Sequence, residues 1–213
     1  MDTLFPFTQA AGAHFSKCRR YRYALWREWD GTKPSIAFIG LNPSTANENE
    51  DDPTIRRVVA FAKAWGFGKV YMLNLFAWVS AHPEDLLTCE DALGNNDEHL
   101  LSYAGACEKI VLAWGAFKQN KARAEVVKQM FPEAYALETN KDGSPKHPLY
   151  VRGDVMPKLY KAQIDSKRAI ALLHADKVRL LNKYGVFGGG EFVSSLHKQI
   201  NTQLEALGVD PNS

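Results

Sequence analysis

The stretch Ser35-Ile-Ala-Phe-Ile-Gly-Leu-Asn-Pro-Ser44 constrains the fold more than any other. Its apolar run lies between Pro34 and Gly40, and the polar triplet Asn42-Pro43-Ser44 follows at once. A continuous apolar run bounded by such residues reads as a strand buried on both faces, as in a parallel sheet. Gly40 permits a sharp turn and Pro43 stiffens it. In open α/β sheets, ligands bind just beyond the carboxyl ends of the strands. The chemistry-bearing groups of this stretch, Asn42 and Ser44, are therefore expected at a site. The plainer alternative is a tight polar turn joining a strand to a helix.

The same logic extends along the chain. Asp52-Pro53 reads as an N-cap followed by a first helical residue. The helix it opens is expected to run to about Trp65, with Ile55, Val58, Val59, Ala62 and Trp65 on one face and Gly66 and Gly68 closing it. Lys69 to Phe76 is a second buried strand, broken by the polar Asn74. Asn95-Asn96-Asp97 caps a helix through about Ala106, and Lys109 to Gly115 is a third strand closed by glycine. Lys118 to Met130 reads as helix and Tyr135 to Leu137 as a short strand. Upstream, the aromatic stretch Arg20 to Trp29 reads as a strand, and the turn Asp30-Gly31-Thr32-Lys33 suggests a hairpin with the strand ending at Gly40. Strand and helix alternate from Ile36 to Leu137. The expected fold is therefore α/β, three layers around a mostly parallel sheet. From Met156 the pattern turns helical, with helices to Tyr184 and from Phe192 to Leu207. This gives an α/β domain over 1–155 and a helical extension over 156–213. Gly188-Gly189-Gly190 lacks the strand before and the Gly-Lys-Ser/Thr after that a phosphate loop requires.

The chain has 213 residues, 46% hydrophobic and 23% charged, with a net charge of +2. That composition fits a folded domain with a substantial core. The balance of charge does not announce a nucleic-acid partner and leaves room for a local basic patch. Cys18, Cys89 and Cys107 are too scattered for a zinc site or a disulfide framework, which fits a reducing, cytoplasmic setting. No apolar run is long enough to span a membrane, and the N-terminus lacks the pattern of a signal peptide.

Four polar marks now stand at or just after strand ends: Gly40-Leu41-Asn42-Pro43-Ser44, Leu73-Asn74-Leu75, Leu112-Ala113-Trp114-Gly115-Ala116 and His147-Pro148-Leu149. Their order and spacing resemble the uracil-DNA glycosylase superfamily. Gly-Leu-Asn-Pro-Ser is similar to its water-activating motif, above all in the mismatch-specific branch, which carries Gly-Ile-Asn-Pro-Gly. The resemblance spans roughly Pro34 to Arg152. With Arg20-Tyr21 and Asp52-Pro53-Thr54-Ile55-Arg56-Arg57 included, the pattern also resembles a bacterial and phage family of unknown function. The resemblance implies a glycosylase-like fold and hydrolysis of the N-glycosidic bond of a modified or mismatched pyrimidine in DNA. Asn42 and His147 are the implied catalytic residues. Gly40, Leu41, Pro43, Ser44, Asn74, Phe76 and Trp114 are the implied base-binding residues, and no cofactor or metal is implied.

The residue chemistry is compatible with that assignment. A carboxamide at Asn42 can orient a water but is no strong base. A neutral His147 can donate to a pyrimidine O2 as charge develops there. Asn74 can pair with the O4 and N3–H edge of uracil, and Phe76, Trp78 or Trp114 can stack on the ring. His147 as a backbone-bonded loop residue, Asn74 bonded only to backbone and Trp114 as core are the plainer readings. The loop that opens on His147 departs from the family, reading His-Pro-Leu-Tyr without the usual serine. The acidic loop carrying Glu48, Glu50, Asp51 and Asp52 would repel a phosphate backbone unless it binds a cation such as Mg²⁺ or faces away. Arg56, Arg57, Lys118, Lys121, Arg123, Lys141, Lys146 and Arg152 are the candidate phosphate contacts, or else solvated charge. The expected partner is nucleic acid, DNA above all, or a free nucleobase or nucleotide. Two rival readings stand beside the enzyme. One is a non-catalytic module that binds a nucleobase or nucleic acid; the other is a protein-interaction role for the C-terminal helices, a homodimer among them.

Overall fold

A computed structural model describes residues 10–117, 120–160 and 201–202. The chain divides into two compact units, one of residues 1–119 and 133–160, the other of residues 120–132 and 161–213.

The first unit is built on a seven-stranded sheet. Its strands are β1 (Ala10–Phe15), β2 (Arg22–Glu28), β3 (Ser35–Gly40), β4 (Lys69–Asn74), β5 (Lys109–Leu112), β6 (Tyr135–Ala136) and β7 (Lys158–Leu159), in spatial order β1-β2-β4-β3-β5-β6-β7. The centre, β4-β3-β5-β6, is parallel, as expected of the strand–helix alternation. The flanks are not: β2 runs antiparallel to both β1 and β4, and β7 is antiparallel to β6. The sheet is thus mixed rather than mostly parallel. The expected hairpin between the Arg20–Trp29 strand and β3 does not form. β2 pairs with β4 instead, and β1 takes the edge.

Helix α1 (Pro53–Ala64) starts and stops on local chemistry. Asp52 caps it by accepting from Ile55 N at 2.8 Å. Gly66, at φ +86°, ends it: Gly66 N donates to Lys63 O and Phe67 N to Ala62 O, a Schellman closure. The helix buries Ile55, Val58, Phe61 and Ala62 against Leu25, Ile36, Phe38, Val70, Met72 and Val111 of the sheet. Each large side chain removed from water contributes about 1.5–3 kcal/mol. Tyr71 alternates with Val70 and Met72 along β4, so it leaves this core and meets helix α2 (Asn96–Gly105), its ring 5.4 Å from that of Tyr103.

The capping triplet expected at Asn95-Asn96-Asp97 works differently. Asn96 is the first residue of α2, and its Nδ2 clamps the carbonyls of Asn74 at 2.8 Å and Leu75 at 3.0 Å. Helix α3 (Lys121–Met130) belongs to the second unit. Where helix was expected from Met156, Lys158 and Leu159 form β7; their carbonyls and amides complete the edge beside β6. The C-terminal helices and their suggested homodimer lie almost wholly outside the described residues, of which Asn201 and Thr202 are helical. No helix among the described residues is long and apolar enough to cross a membrane.

Candidate functional site

β3 and β4 end side by side, with Gly40 in register with Asn74. The pairing continues past the strands: Leu75 N donates to Gly40 O and Phe76 N to Leu41 O. Gly40 has no room for a side chain. A Cβ there would stand 2.5 Å from Met72 Cε and 2.9 Å from the Asn74 amide. This close approach brings the Asn42 turn against the end of β4.

Asn42 is half-buried, and its amide is held on one side. Nδ2 donates to Ser80 O at 2.8 Å and Pro43 O at 3.1 Å. Both amide hydrogens are thereby used, and Oδ1 remains as an acceptor. Asn74 is 2% exposed. With the amide turned so that its nitrogen faces the neighbouring carbonyls, Nδ2 donates to Asn42 O at 3.3 Å and Leu73 O at 3.2 Å. The two-point pairing expected for Asn74 on a uracil edge is therefore reduced to what its Oδ1 can accept.

The loop after β6 delivers His147. Gly115 N, just beyond β5, donates to Pro145 O at 2.9 Å, and Lys146 N donates to Glu138 O. Gly115 has φ +78°, and a Cβ there would come within 3.3 Å of His147 Cβ. The half-buried imidazole accepts from Leu149 N at Nδ1, 3.3 Å, which puts the ring proton of the neutral form on Nε2. Burial pushes this imidazole below its usual range, with the Asp52 carboxylate opposing the shift. Arg57 of α1 ties the loop down: it donates through Nη2 to Val151 O and through Nε to Pro148 O at 3.4 Å, and packs 4.8 Å from the Phe61 ring centroid. Expected as a phosphate contact, Arg57 is engaged in holding the backbone.

Gly40, Leu41, Asn42, Ser44, Asn74, Trp114 and His147 line one cavity of about 330 Å³. Pro43 and Phe76 do not line it, nor does Trp78, which packs edge-on against Tyr21. Trp114 is 3% exposed and is the candidate aromatic that reaches the cavity wall. Sequence reasoning missed Arg22, Thr54, Phe117 and Tyr150 in the wall and saw Asp52 only as a cap and a member of the acidic loop. Arg22 arrives through a bulge: Phe15 pairs with Arg22 while His14 pairs with Ala24. The extra residue rephases β2, so Tyr23 stacks on His99 of α2 while Leu25, two residues on, joins the α1 core.

The acidic loop is largely neutralised from within. Glu48 pairs with Arg19 at 2.9 Å and Asp51 with Arg27 at 2.7 Å, while Asp52 serves α1. Among the described residues no group of three or more His, Cys, Asp or Glu is placed to hold a metal ion.

Fold and site together define a mixed α/β protein with one polar, partly enclosed cavity at the carboxyl ends of its central strands. A family model described as a protein of unknown function, DUF1643, matches residues 22–149, and the chain belongs to that family. The matched segment contains every residue of the cavity wall apart from Tyr150. No curated protein and no solved structure matches the chain.

Proposed function

We propose that this protein is a glycosylase-like enzyme of DNA repair or modification. On this reading it hydrolyses the N-glycosidic bond of a modified or mismatched pyrimidine in DNA, on a three-layer fold of the uracil-DNA glycosylase type. The observation that carries the reading is the convergence of Asn42, Asn74 and His147, from three separate strand ends, on one cavity, with the imidazole proton on Nε2.

The chemistry follows from those groups. As the C1′–N1 bond breaks, its electron pair passes to the base and negative charge gathers on O2. A neutral imidazole with Nε2–H donates to that oxygen at little reorganisation cost, as an oxyanion hole does. Burial keeps the ring uncharged near neutral pH. Asn42 Oδ1, the unused atom of a carboxamide clamped at Nδ2, accepts from the attacking water and aims its lone pair at C1′. Water's oxygen bonds C1′, and its proton leaves to solvent or to Asp52, the carboxylate among the lining residues. Asn74 Oδ1 accepts from N3–H, and Trp114 flanks the ring.

The test is incubation of the full chain with duplex and single-stranded oligonucleotides carrying uracil, a thymine mismatch or oxidised pyrimidines, followed by alkaline cleavage at abasic sites. The expected result is strand scission at the target base, lost in Asn42→Ala and reduced at least about 100-fold in His147→Ala. Absence of abasic product across the panel would remove the enzymatic reading. Saturable base binding without product would leave a recognition module.

A further inference from the structure

Arg22 is a buried charge with no close ion pair among the described residues. It is 3% exposed and lines the cavity. Nη1 donates to Ala46 O, whereas Nε is buried without a hydrogen-bond partner among the described residues. No described carboxylate forms an ion pair with it. Asp52, in the same wall, gives Oδ1 to the N-terminal end of α1. Burial holds the guanidinium down at about 10, with Arg27 adding to the shift and the Asp52 and Glu48 carboxylates acting against it. A buried guanidinium is costly until an anion meets it, and its fork suits two oxygens of one group.

A second feature opens onto the same space. The first turn of the 12-residue helix α1 lines the cavity through Asp52, Thr54 and Ile55. Ile55 N is taken by Asp52, and Pro53 has no N–H. Thr54 adds an amide and a hydroxyl without a hydrogen-bond partner among the described residues, at the positive end of the helix. A buried guanidinium whose Nε has no hydrogen-bond partner among the described residues, and a helix N-terminus facing the same cavity, are together an anion site, with Asp52 Oδ1 already held by Ile55 N.

We propose that Arg22 and the first turn of α1 form a phosphate subsite, taking the phosphate of a nucleotide whose base is held by Asn42, Asn74 and His147. This rests on the pyrimidine reading above for the base, but not for the anion. At about 330 Å³ the cavity falls within the range of small-molecule sites, so one nucleotide unit is the expected cargo. The same phosphate can belong to a free nucleoside monophosphate or to a polynucleotide.

The experiment titrates the full chain with inorganic phosphate, uridine, uridine 5′-monophosphate and a uracil-containing trinucleotide. Calorimetry gives affinities and nitrogen-resolved NMR follows the Arg22 Nε–H. The monophosphate is expected to bind at least about tenfold tighter than the nucleoside, the factor one charge-assisted bond carries. Phosphate alone is expected to move the Arg22 Nε–H signal. Arg22→Met should bring monophosphate and nucleoside within about twofold of each other. If that variant fails to fold, Thr54→Val and the wild-type NMR titration still decide, since Thr54→Val should shrink the phosphate advantage and spare nucleoside binding. A trinucleotide that binds tighter again identifies a polynucleotide as the source. Equal affinity for nucleoside and monophosphate, with an unmoved Arg22 signal, overturns the subsite and leaves the base reading intact. Phosphate binding without nucleoside binding upholds the subsite and defeats the base reading.

Discussion

Replacing Arg57 with methionine removes the tether between α1 and the loop that presents His147. Two hydrogen bonds are lost, from Nη2 to Val151 O and from Nε to Pro148 O at 3.4 Å. Val151 is 4% exposed, so its carbonyl has little water to turn to. A hydrogen bond to a charged group is worth about 1.5–3 kcal/mol, while the long Pro148 bond lies near the outer geometric limit and adds little. Methionine keeps the apolar stem, and its sulfur contact with Phe61, about 0.3–1.5 kcal/mol, nearly matches the cation–π contact it replaces. The net loss is about 2 kcal/mol. For a chain of this size the melting midpoint should fall by about 4–8 °C. The loss should also be local. Tyr150 N donates to His147 O at 3.0 Å and Val151 N to Pro148 O, so these two amides report the loop. Their hydrogen exchange should speed up more than that of β3 or β4 amides. A midpoint within about 1 °C of wild type, with Tyr150 and Val151 exchanging as before, would refute the tether and leave Arg57 as surface charge.

Gly115→Ala places a side chain at φ +78° and against His147 Cβ; a loss of about 1–2 kcal/mol is expected in urea unfolding, together with weakened base binding. Acid should also destabilise the fold. Burial depresses His147 and His99 below 6.5, so the unfolded chain binds more protons than the folded one, and stability present above 6.5 falls as pH drops from there toward the folded values. The urea midpoint should therefore decline between about pH 7 and pH 5, less steeply in His147→Asn and less steeply again when His99→Asn is added.

The elements that could be read in order from the chain are those whose signals are local. Asp52-Pro53 and Gly66 bracket α1 within a dozen residues, because cap and left-handed closure need only neighbouring backbone groups. The apolar runs of β3, β4 and β5 declare strands buried on both faces, and their polar ends foretell Asn42, Asn74 and Trp114 at the cavity. Three matters needed the folded chain. Nothing in the Arg20–Trp29 stretch says that β2 pairs with β4 rather than β3, since backbone hydrogen bonding is indifferent to which neighbour supplies it. Arg22 reaches the cavity because that pairing and a one-residue bulge turn it there, a rotation that alternation alone would have denied. Arg57 read as a phosphate contact or solvated charge, and became a clamp when a loop more than ninety residues downstream came to lie over α1. Local propensity acts through a few adjacent bonds and so is written in the order of residues. The making of a site depends on which distant segments share a wall, and that is decided by pairing and packing across the whole sheet.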